Sequence, residues 1–213
     1  MRCILSAVLA VAPLLSQATD SAPHLFYSKV MRGATPEYMQ VVLQRDGAAV
    51  YRESVDDPDE QPVKFKLRQD EVDAIFGLAE KLGRITRPLE SGLKVAYLGE
   101  KTIRWESSGV RNEQKFNYTQ DPDGQQLGDW FTRITDNVQH FLNLERSVRF
   151  DKLGVNKVLL QIQILLERNR LVGADMYLPL LDRVANNESY LNMARSRAAA
   201  IAQFIRTGEP PVE

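Results

Sequence analysis

The stretch YMQVVLQRDGAAVYRE, Tyr38 to Glu53, decides the fold. Two runs of strand-forming residues flank Arg45-Asp46-Gly47, and Asp and Gly are the residues that accept the positive φ of a tight hairpin. With a period of two, Met39, Val41 and Leu43 share one face. The segment therefore predicts an antiparallel hairpin with one apolar side.

Outward from the hairpin, period two dominates from Leu25 to Thr119. Val63, Phe65 and Leu67 alternate with Lys64 and Lys66, the pattern of a strand with one dry and one solvated face. Directly after it, Val72, Ile75, Phe76, Ala79 and Leu82 recur at helical spacing. Asp70, Glu71 and Asp73 stand near the start and Gly83 just past the end, a charge order that suits the helix dipole. A second strand group is expected at Leu93–Leu98, Lys101–Glu106 and Glu113–Tyr118, with Ile103, Trp105 and Phe116 facing inward. The acidic run Asp56-Asp57-Pro58-Asp59-Glu60 offers no regular ligand spacing and reads as a solvated loop.

From Asp123 to Ile205 the period changes to about 3.6. Leu127, Trp130, Phe131, Ile134, Val138, Phe141, Leu142 and Val148 write a long helix with one continuous apolar stripe. A second helix, Lys152 to Arg168, is apolar on two sides, Leu160 and Ile164 lying away from Leu159 and Ile162, and is expected to be central and buried. Asp151 and Gly154 mark the break between the two. Pro179 opens a short helix through Val184, and Asn186-Asn187 are expected to cap a last helix from Glu188 to Arg206. Ala194, Ala198 and Ala202 allow that helix a close approach to a neighbour.

The fold class that follows is α+β: an antiparallel sheet with one packed helix over residues 19–120, then a C-terminal bundle of three to four helices over 121–207, and a flexible tail at 208–213.

The amino-terminal residues carry a different message. Arg2, the apolar run Ile4 to Leu15, and Ser16-Gln17-Ala18 have the grammar of a secretory leader: a positive start, an apolar stretch too short to span a bilayer, and small residues before a cut placed after Ala18. The sole cysteine, Cys3, falls inside it, so a processed chain would contain no thiol. Export to the periplasm or the exterior is the expectation. No later segment is long and apolar enough to cross a membrane.

The formal net charge is −1 over 213 residues, and −2 once the leader's arginine is removed, which leaves no electrostatic footprint for nucleic acid. No phosphate-cradling GxxxxGK[ST], dinucleotide GxGxxG, HExxH or GxSxG occurs, and no cofactor or metal is expected. His24 is placed in a flexible terminus. His140 is placed on the polar flank of the long helix, with Asp136 one turn earlier. Tyr27, Tyr38, Tyr51, Tyr97, Trp105 and Tyr118 are read chiefly as strand-face packing. Asn117-Tyr118-Thr119 matches the N-glycosylation acceptor pattern.

Charges inside an apolar stripe are more informative, because burying an unpaired ion is costly. On a helical wheel Glu145 projects near the centre of the long helix's stripe and Arg149 follows one turn later. Arg197 falls among Tyr190, Ala194, Ala198 and Ile201. With Asp151 these residues are expected to form one ion-pair network that sets helix register. Glu145 and Asp151 are the candidate acid and base should the site be catalytic. The functional expectation is a non-enzymatic exported or envelope-associated binding protein with an unidentified protein or envelope component as partner. The alternatives are a small envelope hydrolase using acidic residues, or an inhibitor or immunity-like module.

Overall fold

A computed structural model describes residues 22–209; the expected leader, its cut site and the last residues of the expected tail lie outside them. Strand β1 (His24–Val30) is followed by the hairpin β2 (Tyr38–Gln44) and β3 (Ala48–Arg52), then β4 (Val63–Lys66), helix α1 (Gln69–Lys81), β5 (Glu100–Ser107) and β6 (Val110–Phe116). Helices α2 (Pro122–Phe150), α3 (Val155–Glu167), α4 (Leu178–Ala185, preceded by a 3-10 turn at Ala174–Tyr177) and α5 (Asn192–Thr207) complete the chain. The class is α+β.

The six strands form one antiparallel sheet in the order β4-β3-β2-β1-β5-β6. Register aligns the inward residues into two rows. One row runs Phe65, Ala49, Leu43, Leu25, Trp105, and the other Val63, Tyr51, Val41, Tyr27, Ile103. A slip of one residue in any strand would turn its apolar set to water, so this alternation itself fixes the pairing. Gly47 closes the hairpin at φ +88°, where a Cβ would meet the Leu67 carbonyl oxygen at 2.6 Å. Glycine is required there for both reasons.

Helix α1 and the first half of α2 cover the inner face. Phe131 stacks on Tyr27 with ring centroids 4.7 Å apart, and Phe76 meets Trp105 edge-on at 5.7 Å. Leu127, Ile134 and Val138 join the same core. A second core, from Leu144 and Val148 of α2 to Leu159, Ile162, Leu181, Ala194, Ala198 and Ile201, holds the helices together. Asp121 caps α2 by accepting from the amides of Asp123 and Gly124, and Pro122 stands in the first turn.

Five expectations change. Leu93–Leu98 is irregular, with Leu93, Val95, Tyr97 and Leu98 each 41–56% exposed. The segment's backbone is held by a side chain and not by a strand ladder: the Asn117 side-chain amide accepts from the Leu98 N–H and donates to the Ala96 carbonyl. His24 belongs to β1 and its Nε2 lies 2.9 Å from a Glu106 carboxylate oxygen. Helix α5 starts at Asn192 with Leu191 as its N-cap, because the Asn187 side chain accepts from the Ser189 amide and closes a turn there. Helix α3 is an outer helix: Val155, Leu159 and Ile162 are buried, while Leu160 and Ile164 are exposed. Gly208 is not loose tail but the left-handed C-cap of α5.

Candidate functional site

Helix α2 is 29 residues long and overhangs the end of β3. Between that overhang and residues 53–61 lies a groove of about 640 Å³. Its floor is a short polar chain: the Gln139 amide nitrogen donates to the Tyr51 hydroxyl and to a Glu53 carboxylate oxygen, each at 2.5 Å. Tyr51 also donates to Glu53 at 3.3 Å. Burial, reinforced by the Glu53 charge, pushes the Tyr51 hydroxyl well above its ordinary pKa. Tyr51 is therefore a neutral donor throughout the physiological range.

One wall is the acidic run, and its local structure explains its order. Glu60 accepts from the backbone amides of Glu53 and Ser54, the Ser54 hydroxyl accepts from Asp56 and Asp57, and Asp57 accepts from Asp59. These are turn-forming side-chain bonds. The second carboxylate oxygen of Glu60 is buried without a hydrogen-bond donor, and the Arg52 guanidinium stands 3.9 Å from it. The opposite wall is the last turns of α2, with Leu142, Glu145, Arg146, Arg149 and Phe150.

The charges singled out in the sequence are distributed over three separate contacts. Arg149 and Glu145 pair at 2.9 Å one turn apart on α2. Arg197 turns to α3, donating to the side chains of Gln163 (2.9 Å) and Asn156. Asp151 accepts from the Gly154 amide at 3.0 Å and so organises the α2–α3 corner. The single network is thus corrected: Arg197 is a strut between α3 and α5, and of the two candidate acids only Glu145 lines the groove. Glu145 is half-buried and not central to the stripe, since Leu144 and Val148 face the second core.

His140 is also corrected. It is half-buried, its Nδ1 buried without a hydrogen-bond partner, and burial lowers its pKa against the opposing attraction of Asp136. Asp136 is itself pushed up by desolvation, an effect that His140 opposes. Of the sequon, the Asn117 side chain accepts from the Leu98 amide (2.7 Å) and donates to the Ala96 carbonyl (3.1 Å), bracing the irregular segment. On the outer sheet face, Phe26 is roofed by the Arg104 guanidinium, 4.2 Å from the ring centroid. Among the described residues, no group of three or more His, Cys, Asp or Glu is arranged to hold a metal ion.

Glu53, Gln139 and Arg146 were not singled out in the sequence. Glu53 and Gln139 are 86 positions apart, and no local spacing announces a contact of that range. Compared with known protein families, curated proteins and solved structures, the chain has no significant match.

Proposed function

We propose that the chain is an exported, non-enzymatic binding protein whose groove takes a small dipolar ligand such as a short peptide with free termini. The groove supports this reading because its two walls carry opposite charge. Glu53, Asp57 and Glu60 line the loop side, and Arg146 and Arg149 line the helix side. Arg149 is already shared with Glu145, whereas Arg146 is exposed and has no ion partner among the described residues. Arg146 is the cation for a ligand's carboxylate, and Glu53, held by Gln139 and Tyr51, orients the amine end. A cavity of this size is within the range of small-ligand sites, which combine a largely preformed shape with a few placed polar groups.

A hydrolase built on Glu145 and Asp151 has less support, because Asp151 is committed to the α2–α3 corner. The test is amide chemical-shift mapping on the full chain with di- and tripeptides, free and with blocked termini. Shifts focused on residues 53–61 and 139–150, lost on blocking or in Arg146→Glu, are the expected result. Shifts scattered over the surface would overturn the reading. The export half of the proposal is tested by sequencing the amino terminus of protein from the envelope fraction. A product retained inside the cell and beginning at Met1 would overturn it.

A further inference from the structure

The α2–α3 corner and the α4–α5 connection meet at one end of the helical half. The Lys152 ammonium lies 3.1 Å from the Ser189 hydroxyl and over the Tyr190 ring, and the Asn156 amide lies 3.3 Å from the Met193 sulfur. The Tyr190 hydroxyl donates to the Val148 carbonyl. At this end large apolar side chains face water: Phe150 is 82% exposed, Leu153 75%, Met193 63% and Leu191 51%. These are the most exposed apolar residues of the helical half, while the core next to them contains Val155, Leu159 and Ala194 at 0%. The apolar surface is therefore not a gap in the packing, but a second set of side chains turned outward from a well-filled end.

The charge around it is mixed with a small positive excess, four cations to three acids. Arg149, Lys152 and Lys157 are exposed there, as is Arg146 on the groove side. The acids at the same end are Glu145, which is paired with Arg149, Asp151, whose carboxylate accepts from Gly154, and the exposed Glu188. An apolar tip flanked by the exposed Lys152 and Lys157 has the composition of a surface that lies in the interface of an anionic bilayer, where apolar side chains enter the acyl boundary and cations hold phosphate headgroups. No helix among the described residues is long and apolar enough to cross the membrane, so the contact is peripheral.

From this geometry we infer that the α2–α3 corner, with Leu153 and Met193 at its tip, docks the protein on an anionic lipid surface. The inference goes beyond the groove and does not depend on its ligand. The test is co-sedimentation of the full chain with vesicles of phosphatidylcholine alone, and of phosphatidylcholine mixed with phosphatidylglycerol. The wild type is compared with Leu153→Asp/Met193→Asp and with Lys152→Gln/Lys157→Gln. Every form retains any contribution of residues 1–18, so the comparison isolates the tip. All altered residues are exposed; Lys152 contacts Ser189 and Met193 contacts the Asn156 amide, so unchanged urea midpoints are required to confirm the fold.

The expected result is binding to the mixed vesicles that falls at least tenfold in the Asp variant. In the Gln variant it falls on the order of fivefold for each cation removed, and added salt weakens what remains. Equal binding by all three forms, or equal binding to neutral and anionic vesicles, would overturn the inference. So would a concentration-dependent dimer that disappears in the Asp variant, which would make the tip a contact between copies. Peptide binding in the groove reads out separately, through Arg146.

Discussion

The carboxylate of Glu71 accepts from the backbone amide of Gly173, its two oxygens lying 3.2 and 3.3 Å from that nitrogen. The residues are 102 positions apart, Glu71 in the first turn of α1 and Gly173 before the 3-10 turn. One oxygen also takes the Arg68 amide at 2.8 Å. Gly173 has φ +60°, and a Cβ there would stand 3.3 Å from the Phe65 ring. A buried acid, a left-handed glycine and an edge strand thus form one joint between the sheet half and the helical half.

Glu71→Ala is expected to lower the unfolding free energy by about 1–3 kcal/mol, the cost of leaving a buried amide unpaired. Glu71→Gln, which keeps one acceptor, should lose less. Gly173→Ala should cost about 1–2 kcal/mol from its backbone conformation alone. Urea unfolding of the three variants checks the order.

Phe131→Ala removes the ring that stacks on Tyr27 at the centre of the sheet. Both side chains are fully buried. The expected loss is about 3–5 kcal/mol, the range for deleting a buried aromatic side chain. A loss below about 1 kcal/mol in thermal or urea unfolding would mean that the first half of α2 does not close the sheet.

Asp121 caps α2 and also pairs with Arg87 at 2.8 Å. Asp121→Ala should cost about 0.5–2 kcal/mol for the cap, with little added by an exposed ion pair. Arg87→Ala should therefore be milder than Asp121→Ala. The Arg87 hydrogen bond, helped by the Gly124 and Asp123 amides, holds the Asp121 carboxyl below the usual carboxylate range. Its stabilisation is complete above the unfolded value and fades as pH falls through the folded one.

His140 gives a second pH dependence. Its folded pKa lies below its ordinary value of 6.5, because burial penalises the charged ring. The unfolded chain then binds the proton more readily, and stability falls as pH drops from above 6.5 toward the folded value. His140→Gln should flatten that part of the profile. Glu71 acts in the opposite sense: burial raises its carboxyl, so stability falls as pH rises from the ordinary carboxylate value through the folded one. Urea midpoints of the wild type and His140→Gln on both sides of the histidine range measure the difference.

The hairpin at Tyr38, helix α1 and the start of α2 were legible in the sequence because each is a local pattern ending in a turn or cap. The charge network was not. At about 100° per residue, Glu145 falls about 20° from Ile134 and looks central to the stripe. Leu144 and Val148, which are buried, fall about 80° and 40° to the other side. Along α2 the partner changes from the sheet to α3 and α5, so the buried stripe rotates partway. A wheel drawn for one partner misplaces residues that meet another. The same limit hid the groove: Glu53 and Gln139 meet where α2 crosses the end of β3, and where a helix crosses a strand is a tertiary property. Leu93–Leu98 shows the converse, an alternating pattern whose backbone is bonded by the Asn117 side chain and not by a neighbouring strand.

At 1.5 Å per residue, the 29 residues of α2 make a rod of about 43 Å whose two ends are packed in different cores. The natural seam of the molecule therefore lies within a continuous helix and not in the loop before it. Cutting the chain at Thr119–Gln120 would strip the sheet of Leu127, Phe131, Ile134 and Val138, so neither fragment would keep a complete interior. Loosening one core must be transmitted through helical hydrogen bonds to the other. The mid-helix amides, from Ile134 to Leu144, are expected to be the last to exchange with solvent, and they report on the opening of the whole chain.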